Sequence, residues 1–186
     1  MSSDRPSDTL PSSVPKLDPS GVNWAIFSER FEVAVRAKQL WGHFSGMTTK
    51  PQPAGVIVTD AEQEKLTKWE DDEATAQYLL SQKLPDSAFL KARHHHTVSQ
   101  RWTAIQQEFT HKGLHMQADI RRRFMSSKCA PKGNVREFLE GLLTKKEELA
   151  SIGVDISDKD LRATIVASLP KALSRFAAQT LASIEL

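Results

Sequence analysis

Six histidines, one cysteine and a run of carboxylates are the groups in this chain that could do chemistry. His94, His95 and His96 are consecutive, and His111 and His115 have the i, i+4 spacing with which two helical imidazoles share a metal. Adjacent helical residues rotate by about 100° each, so the triplet would fan around an axis rather than converge. Gly113, between the other two, reads as a helix end. Neither pattern makes a metal site. Cys129 is the only cysteine, which excludes an internal disulfide and a self-contained Cys-based zinc site. Its surroundings, "SSKCAPKG", read as a helix end and loop with no base to activate a thiol.

The carboxylates of "EDDE", residues 70–73, form a local run, whereas metal-assisted hydrolysis needs groups from separate elements converging on one point. They read as a helix face turned mostly to solvent. The chain has no G-x-x-x-x-G-K-[ST], G-x-G-x-x-G or G-x-S-x-G segment. No catalytic residue, metal ligand set, cofactor or small-molecule substrate is therefore expected, and a helical metal-dependent hydrolase is the reading these absences argue against.

Charge carries more information. The net charge is +2, yet residues 91–136 hold ten Lys and Arg against Glu108 and Asp119 alone, an excess of eight. The remainder is then at minus six, and five of the six histidines lie in the basic stretch. Arg121, Arg122 and Arg123, with Lys128 and Lys132, are the candidate RNA-contacting residues. Three adjacent arginines cannot share one helix face, so at least one should pack its stem along the protein. The same asymmetry permits pairing between the basic part of one copy and the acidic part of another.

The elements that would position these groups are helical. At 186 residues, 39% hydrophobic and 26% charged, the chain suits a soluble globular protein of one or two domains. No apolar run approaches the ~18 residues of a membrane span. "MSSDRP" has no secretory h-region and no glycine for myristoylation, so with its lone cysteine the chain is expected in the cytoplasm. The first twenty residues contain six Ser and four Pro, and residues 1–16 read as a disordered arm. Next, Trp24, Phe27, Phe31 and Val35 step by three or four, with Leu40 and Trp41 following and Asn23 as N-cap. "SGMTTKPQPAGVIV" reads as a loop.

Thr59 and Glu62 form a capping box before a stripe of Leu66, Trp69, Ala76, Leu79 and Leu80. Pro85 breaks that helix. Thr97 and Gln100 make a second box before Trp102, Ile105 and Phe109, and place the histidine triplet just ahead of a helix start. A further helix spans "LHMQADIRRRFMSSKCA". Asn134 then caps a helix with Val135, Phe138, Leu142 and Leu149 inside, and Ser157 caps another that runs to Leu169 before Pro170. "ALSRFAAQTLAS" forms the last. No strand is convincing. The expected fold is all-α and two-lobed, with an N-terminal helical lobe over 17–113 and a C-terminal one over 114–186. Trp24, Phe27, Trp41, Trp69, Trp102, Phe138 and Leu169 are its expected core anchors.

Four stretches carry a resemblance. "KLDPSGVNWAIFSERFEVAVRAKQLWGHFSG" resembles the opening of Gag proteins from copia-type LTR retrotransposons. "WEDDEATAQYLLSQKL" is similar to that family's W-x-x-x-D-x-x-A helix, and "TVSQRWTAIQQEF" to its T-A-x-x-x-W-x-x-L-x-x-x-(Y/F). "GNVREFLEGLLTKKEELASIGVDISDKDLRATIVASLPKAL" resembles the stretch that closes in I-L-x-S-L-P. Phe27, Val98 and Ile105 depart from the common residues by apolar exchange. The resemblance implies a capsid-type Gag that self-assembles as a homo-oligomeric lattice around RNA, making a virus-like particle. Its rival on the same fold is a domesticated Gag-derived adaptor or nucleic-acid-binding protein that forms no particle. The C-x-x-C-x-x-x-x-H-x-x-x-x-C knuckle that follows the capsid region in the family does not occur here.

Overall fold

The computed structural model describes residues 9–53, 55 and 58–183. Among them are eight helices and no strand: α1 Trp24–Ala37, α2 Trp41–Ser45, α3 Asp60–Ser81, α4 Asp86–Ala92, α5 Val98–Met125, α6 Val135–Ser151, α7 Asp158–Ser168 and α8 Lys171–Ser183. The chain divides into two compact units between Gly113 and Leu114.

In the first unit α1 presents Trp24, Phe27, Phe31, Ala34 and Val35 to the core, where they meet Leu79 and Leu80 of α3 and Trp102, Ile105 and Phe109 of α5. The rings form a connected cluster, with Phe31 stacked on Trp102 at 5.0 Å and Phe27 on Phe31 at 5.5 Å. Such pairs contribute about 0.5–1.5 kcal/mol each beyond burial. The second unit is built on Phe124, Leu142, Leu149, Val154, Ile156 and Leu161.

The local signals work as their chemistry requires. Thr59 Oγ1 accepts the Glu62 N–H at 3.3 Å while Glu62 Oε2 accepts the Thr59 N–H at 2.9 Å. Thr97 and Gln100 make the same reciprocal pair, both at 3.3 Å. Asn134 Oδ1 accepts from the N–H groups of Arg136 and Glu137, and Ser157 Oγ from that of Asp160.

Four expectations fail. Asn23 does not cap α1; its amide donates to the Lys16 carbonyl and accepts from the Asp18 N–H, tying down the preceding loop. Residues 1–8 of the expected disordered arm lie outside the described residues, but from residue 9 onward the segment is packed. Leu10, Val14 and Leu17 are buried, and the Leu17 N–H reaches the Lys83 carbonyl at 2.8 Å.

The expected single helix through Trp41 is two. α1 ends in a Schellman arrangement, with the Gln39 N–H on Arg36 O, the Leu40 N–H on Val35 O, and Gln39 in the left-handed region at φ 61°. Gly113 does not end a helix. α5 runs straight through it to Met125, so the separate helix expected from Leu114 to Ala130 is the continuation of α5 and stops five residues short. A Cβ on Gly113 would lie 2.9 Å from the Gly21 carbonyl oxygen and 3.2 Å from Trp24 Cβ, so glycine serves close approach here rather than termination. The "EDDE" run has Glu70 and Asp71 exposed, as expected of a face turned mostly to solvent, and Glu73 is its exception, buried at 7% exposure.

Candidate assembly and nucleic-acid surfaces

α5 carries the arginine triplet in its last two turns, and the sequence spreads those side chains around the axis as adjacency demands. Arg121 pairs with Asp160 of α7, fixing it across two helices of the second unit. Arg122 and Arg123 both reach back one turn to Asp119, at 2.5 and 2.7 Å. The hydrogen bond from Arg122 is the chief cause holding the Asp119 carboxyl below its ordinary range. The Asp160 carboxyl is lowered too, first by a hydrogen bond from the Ser157 side chain, with Arg121 adding to it.

Lys128 Nζ donates to the Ala167 carbonyl at 2.6 Å, satisfying one of the terminal carbonyls of α7. Lys132 is exposed in the loop before α6. The five candidate RNA-contacting residues thus lie on one short stretch of chain, but not as five equal free cations. Arg121 and Lys128 hold the second unit together. Arg122 and Arg123 share one carboxylate and stay about three-quarters exposed, and they with Lys132 remain accessible to an anion.

Among the expected anchors, Trp24, Phe27 and Trp102 are buried in the first core. Trp41 is half-buried against it. Trp69 is half-buried beneath Lys50, with its indole N–H on the Thr48 carbonyl at 3.2 Å. Phe138 and Leu169 are both half-buried in the second unit.

The histidine triplet forms the turn between α4 and α5. His94 and His96 are exposed and His95 is half-buried, and backbone groups hold the turn: the His95 carbonyl accepts from Arg101 Nε and the His96 N–H donates to Gln100. His111 and His115 lie on one continuous helix after all, both exposed. Among the described residues no third ligand joins them, and no group of three or more His, Cys, Asp or Glu could hold a metal. Cys129 is buried, with its N–H on the Ser168 carbonyl.

Two features escape the sequence reading. One is the buried pair of His43, the histidine outside the basic stretch, with Glu73. The signal was present, since 69, 73, 76 and 80 continue the helical stripe, but a carboxylate on an apolar stripe reads as solvated. The other is exposed apolar surface in both units. Val33, Met47 and Leu90 are more than half exposed in the first, and so is Phe176 in the second, where Leu143 stands at 50% and Leu173 at 42%. Among the described residues no helix is long and apolar enough to cross a membrane.

The family described as gag-polypeptide of LTR copia-type matches residues 31–183, which takes in the second half of α1 and every later helix. No curated protein and no solved structure matches the chain. With well over half its length covered by one family, this all-helical chain belongs to the gag-polypeptide family of copia-type LTR elements.

Proposed function

We propose that this Gag-family chain is a capsid protein that self-assembles in the cytoplasm into particles enclosing RNA, and that it performs no catalysis. Its two helical units, 17–113 and 114–186, act as the N-terminal and C-terminal capsid lobes. The observation that carries the reading is the family match over residues 31–183. Exposed apolar side chains on both units and the opposed charge of the 91–136 stretch and the remainder support it. Each contact between copies is weak, and a lattice makes the sum strong through multivalency. RNA contributes through Arg122, Arg123 and Lys132, with Arg121 and Lys128 adding charge while serving the fold.

The test is light scattering with negative-stain microscopy of the purified chain, with and without RNA, across salt concentrations. Closed particles that retain nuclease-protected RNA are expected, with assembly weakening as salt screens the charge. A strict monomer at high protein concentration under every salt condition overturns the proposal.

One observation favours a second reading. The arginine triplet is partly neutralised by Asp119 and Asp160 within the chain, which suits an adaptor that associates with proteins without enclosing RNA. Small oligomers that close into no particle and carry no protected RNA would select that reading.

A further inference from the structure

The four tryptophans of the first unit divide into two kinds. Trp24 Nε1 donates to Thr110 Oγ1 at 3.1 Å and Trp69 Nε1 to the Thr48 carbonyl. The indole N–H groups of Trp41 and Trp102 have no hydrogen-bond partner among the described residues, although Trp102 is only 6% exposed. No buried side-chain nitrogen or oxygen among the described residues lacks a partner, so both indole nitrogens reach the surface. An indole N–H in a packed setting ordinarily finds an acceptor. Both of these rings line one groove of about 790 Å³ between α1, α2 and α5.

Trp24, Trp41, Phe44 and Trp102 make an aromatic floor. Trp41 stacks on Phe44 at an interplanar angle of 8° and meets Trp102 edge-on at 5.8 Å. Along the α1 rim, Glu32 is neutralised by Arg36, whose guanidinium also lies over the Trp41 ring at 5.3 Å. Glu29 on the same rim has no cation partner among the described residues.

We propose that this groove docks an extended, proline-rich, basic segment of another protein. Two solvent-reaching indole donors with no acceptor among the described residues, set around an aromatic floor, suit an occupant whose carbonyls are free. A polyproline II strand has no internal hydrogen bonds and leaves its carbonyls available, whereas a helix uses its carbonyls internally. Flat indole faces suit proline rings, the mode by which aromatic grooves recognise such segments elsewhere. The unpaired Glu29 carboxylate selects a Lys or Arg beside the prolines. The groove lies wholly within the first unit, so the proposal stands whether or not the chain forms particles.

The test uses the full chain labelled with ¹⁵N, at a concentration where light scattering reports monomer. The probe is a synthetic Pro-Pro-Arg repeat of about twelve residues, enough to span a groove of this kind. Controls are a Gly-Ser-Arg repeat of equal length and charge, and a Pro-Pro-Glu repeat. The indole N–H resonances of Trp41 and Trp102 should shift on titration with Pro-Pro-Arg while that of Trp69 stays fixed, and neither control should reproduce the shift.

Trp41→Phe keeps the stack on Phe44 but removes one donor, and should weaken binding about three- to ten-fold. Glu29→Lys, on an exposed rim position, should weaken it about ten-fold or more by reversing the charge. Unmoved Trp41 and Trp102 resonances, an equal response to Gly-Ser-Arg, or unchanged affinity in Trp41→Phe would each overturn the proposal. So would a concentration-dependent shift of the same resonances without peptide, because the occupant would then be a second copy of this chain.

Discussion

Glu73 Oε1 accepts the backbone N–H of Val98 at 2.6 Å, capping the first turn of α5 from a helix 25 residues earlier in the chain. The same oxygen takes Gln77 Nε2 at 3.3 Å, and Oε2 faces His43 Nδ1 at 2.9 Å. The Oε2–Nδ1 contact ties the His43 ring to the same side chain, with the roles of the ring nitrogens set by the tautomer. The carboxylate also sits where the dipole of α5 favours negative charge. One side chain therefore joins α2, α3 and α5.

Removing it should cost accordingly. Glu73→Ala is expected to destabilise the first unit by about 2–4 kcal/mol, because the Val98 N–H, the Gln77 amide and the His43 ring all lose their partner. Asp71→Asn, two residues earlier and exposed, should stay within about 0.5 kcal/mol. Urea denaturation measures both, and equal midpoints for the two variants would contradict the cap.

Gly113 and Gly141 should respond oppositely to alanine. Both lie inside helices, where glycine ordinarily costs about 1 kcal/mol relative to alanine. Nothing among the described residues lies within 4 Å of a Cβ on Gly141, so Gly141→Ala should stabilise by about 0.5–1 kcal/mol. Gly113→Ala drives a methyl into the Gly21 carbonyl and should instead destabilise by about 1–3 kcal/mol. A gain in stability from Gly113→Ala would show that the approach of the two segments is loose.

Gln39 holds a left-handed conformation that costs a side-chain-bearing residue about 1–2 kcal/mol. Gln39→Gly should raise stability by up to about 1 kcal/mol, the relief of that strain partly offset by glycine's greater freedom when unfolded. Calorimetry of the two proteins decides it, and a lower melting temperature would count against the strain.

The arginines should separate by role. Arg121→Ala removes the link to Asp160 of α7 and should lower the stability of the second unit more than it lowers RNA retention. Arg122→Ala with Arg123→Ala should do the reverse, and the salt slope of binding should fall by about one for each phosphate that is no longer neutralised. Filter binding across salt, beside thermal melts, tests the division. RNA retention unchanged in the double variant removes these two residues from the RNA role.

Acid should release one surface link. The hydrogen bond from Lys91 is the largest cause that holds the Glu108 carboxyl below its ordinary range, and Lys112 adds to it. A carboxylate with a depressed folded value contributes stability above its unfolded value, and that contribution is lost as pH falls through the folded one. Lys91 is 64% exposed, so the effect should stay below about 1 kcal/mol. Glu108→Gln should therefore be slightly less stable than the parent near neutrality, and the two should converge in acid. A difference that persists in acid would assign the effect to packing instead.

The sequence by itself determined the helix starts whose capping donor and acceptor are of diagnostic type and lie within one turn of chain. The caps at Thr59, Thr97, Asn134 and Ser157 are legible because donor and acceptor are two or three residues apart, and the helical class because apolar spacing repeats within each element. The candidate RNA residues were legible as composition, but their partial neutralisation was half so. Asp119 stands one turn from Arg122 and Arg123, while Asp160 is 39 residues from Arg121.

Only the tertiary structure decided what Asn23, Glu73 and Gly113 do, and which tryptophan N–H groups stay open. Asn23 bonds Lys16, Glu73 bonds Val98 and His43, and Gly113 meets Gly21. For Glu73 and Gly113 a weak local preference is set against an interaction that exists only once distant segments are packed, while Asn23 is drawn to the loop just before it. The cost of a buried unpaired donor or a steric overlap exceeds the few tenths to one kcal/mol that local propensity supplies.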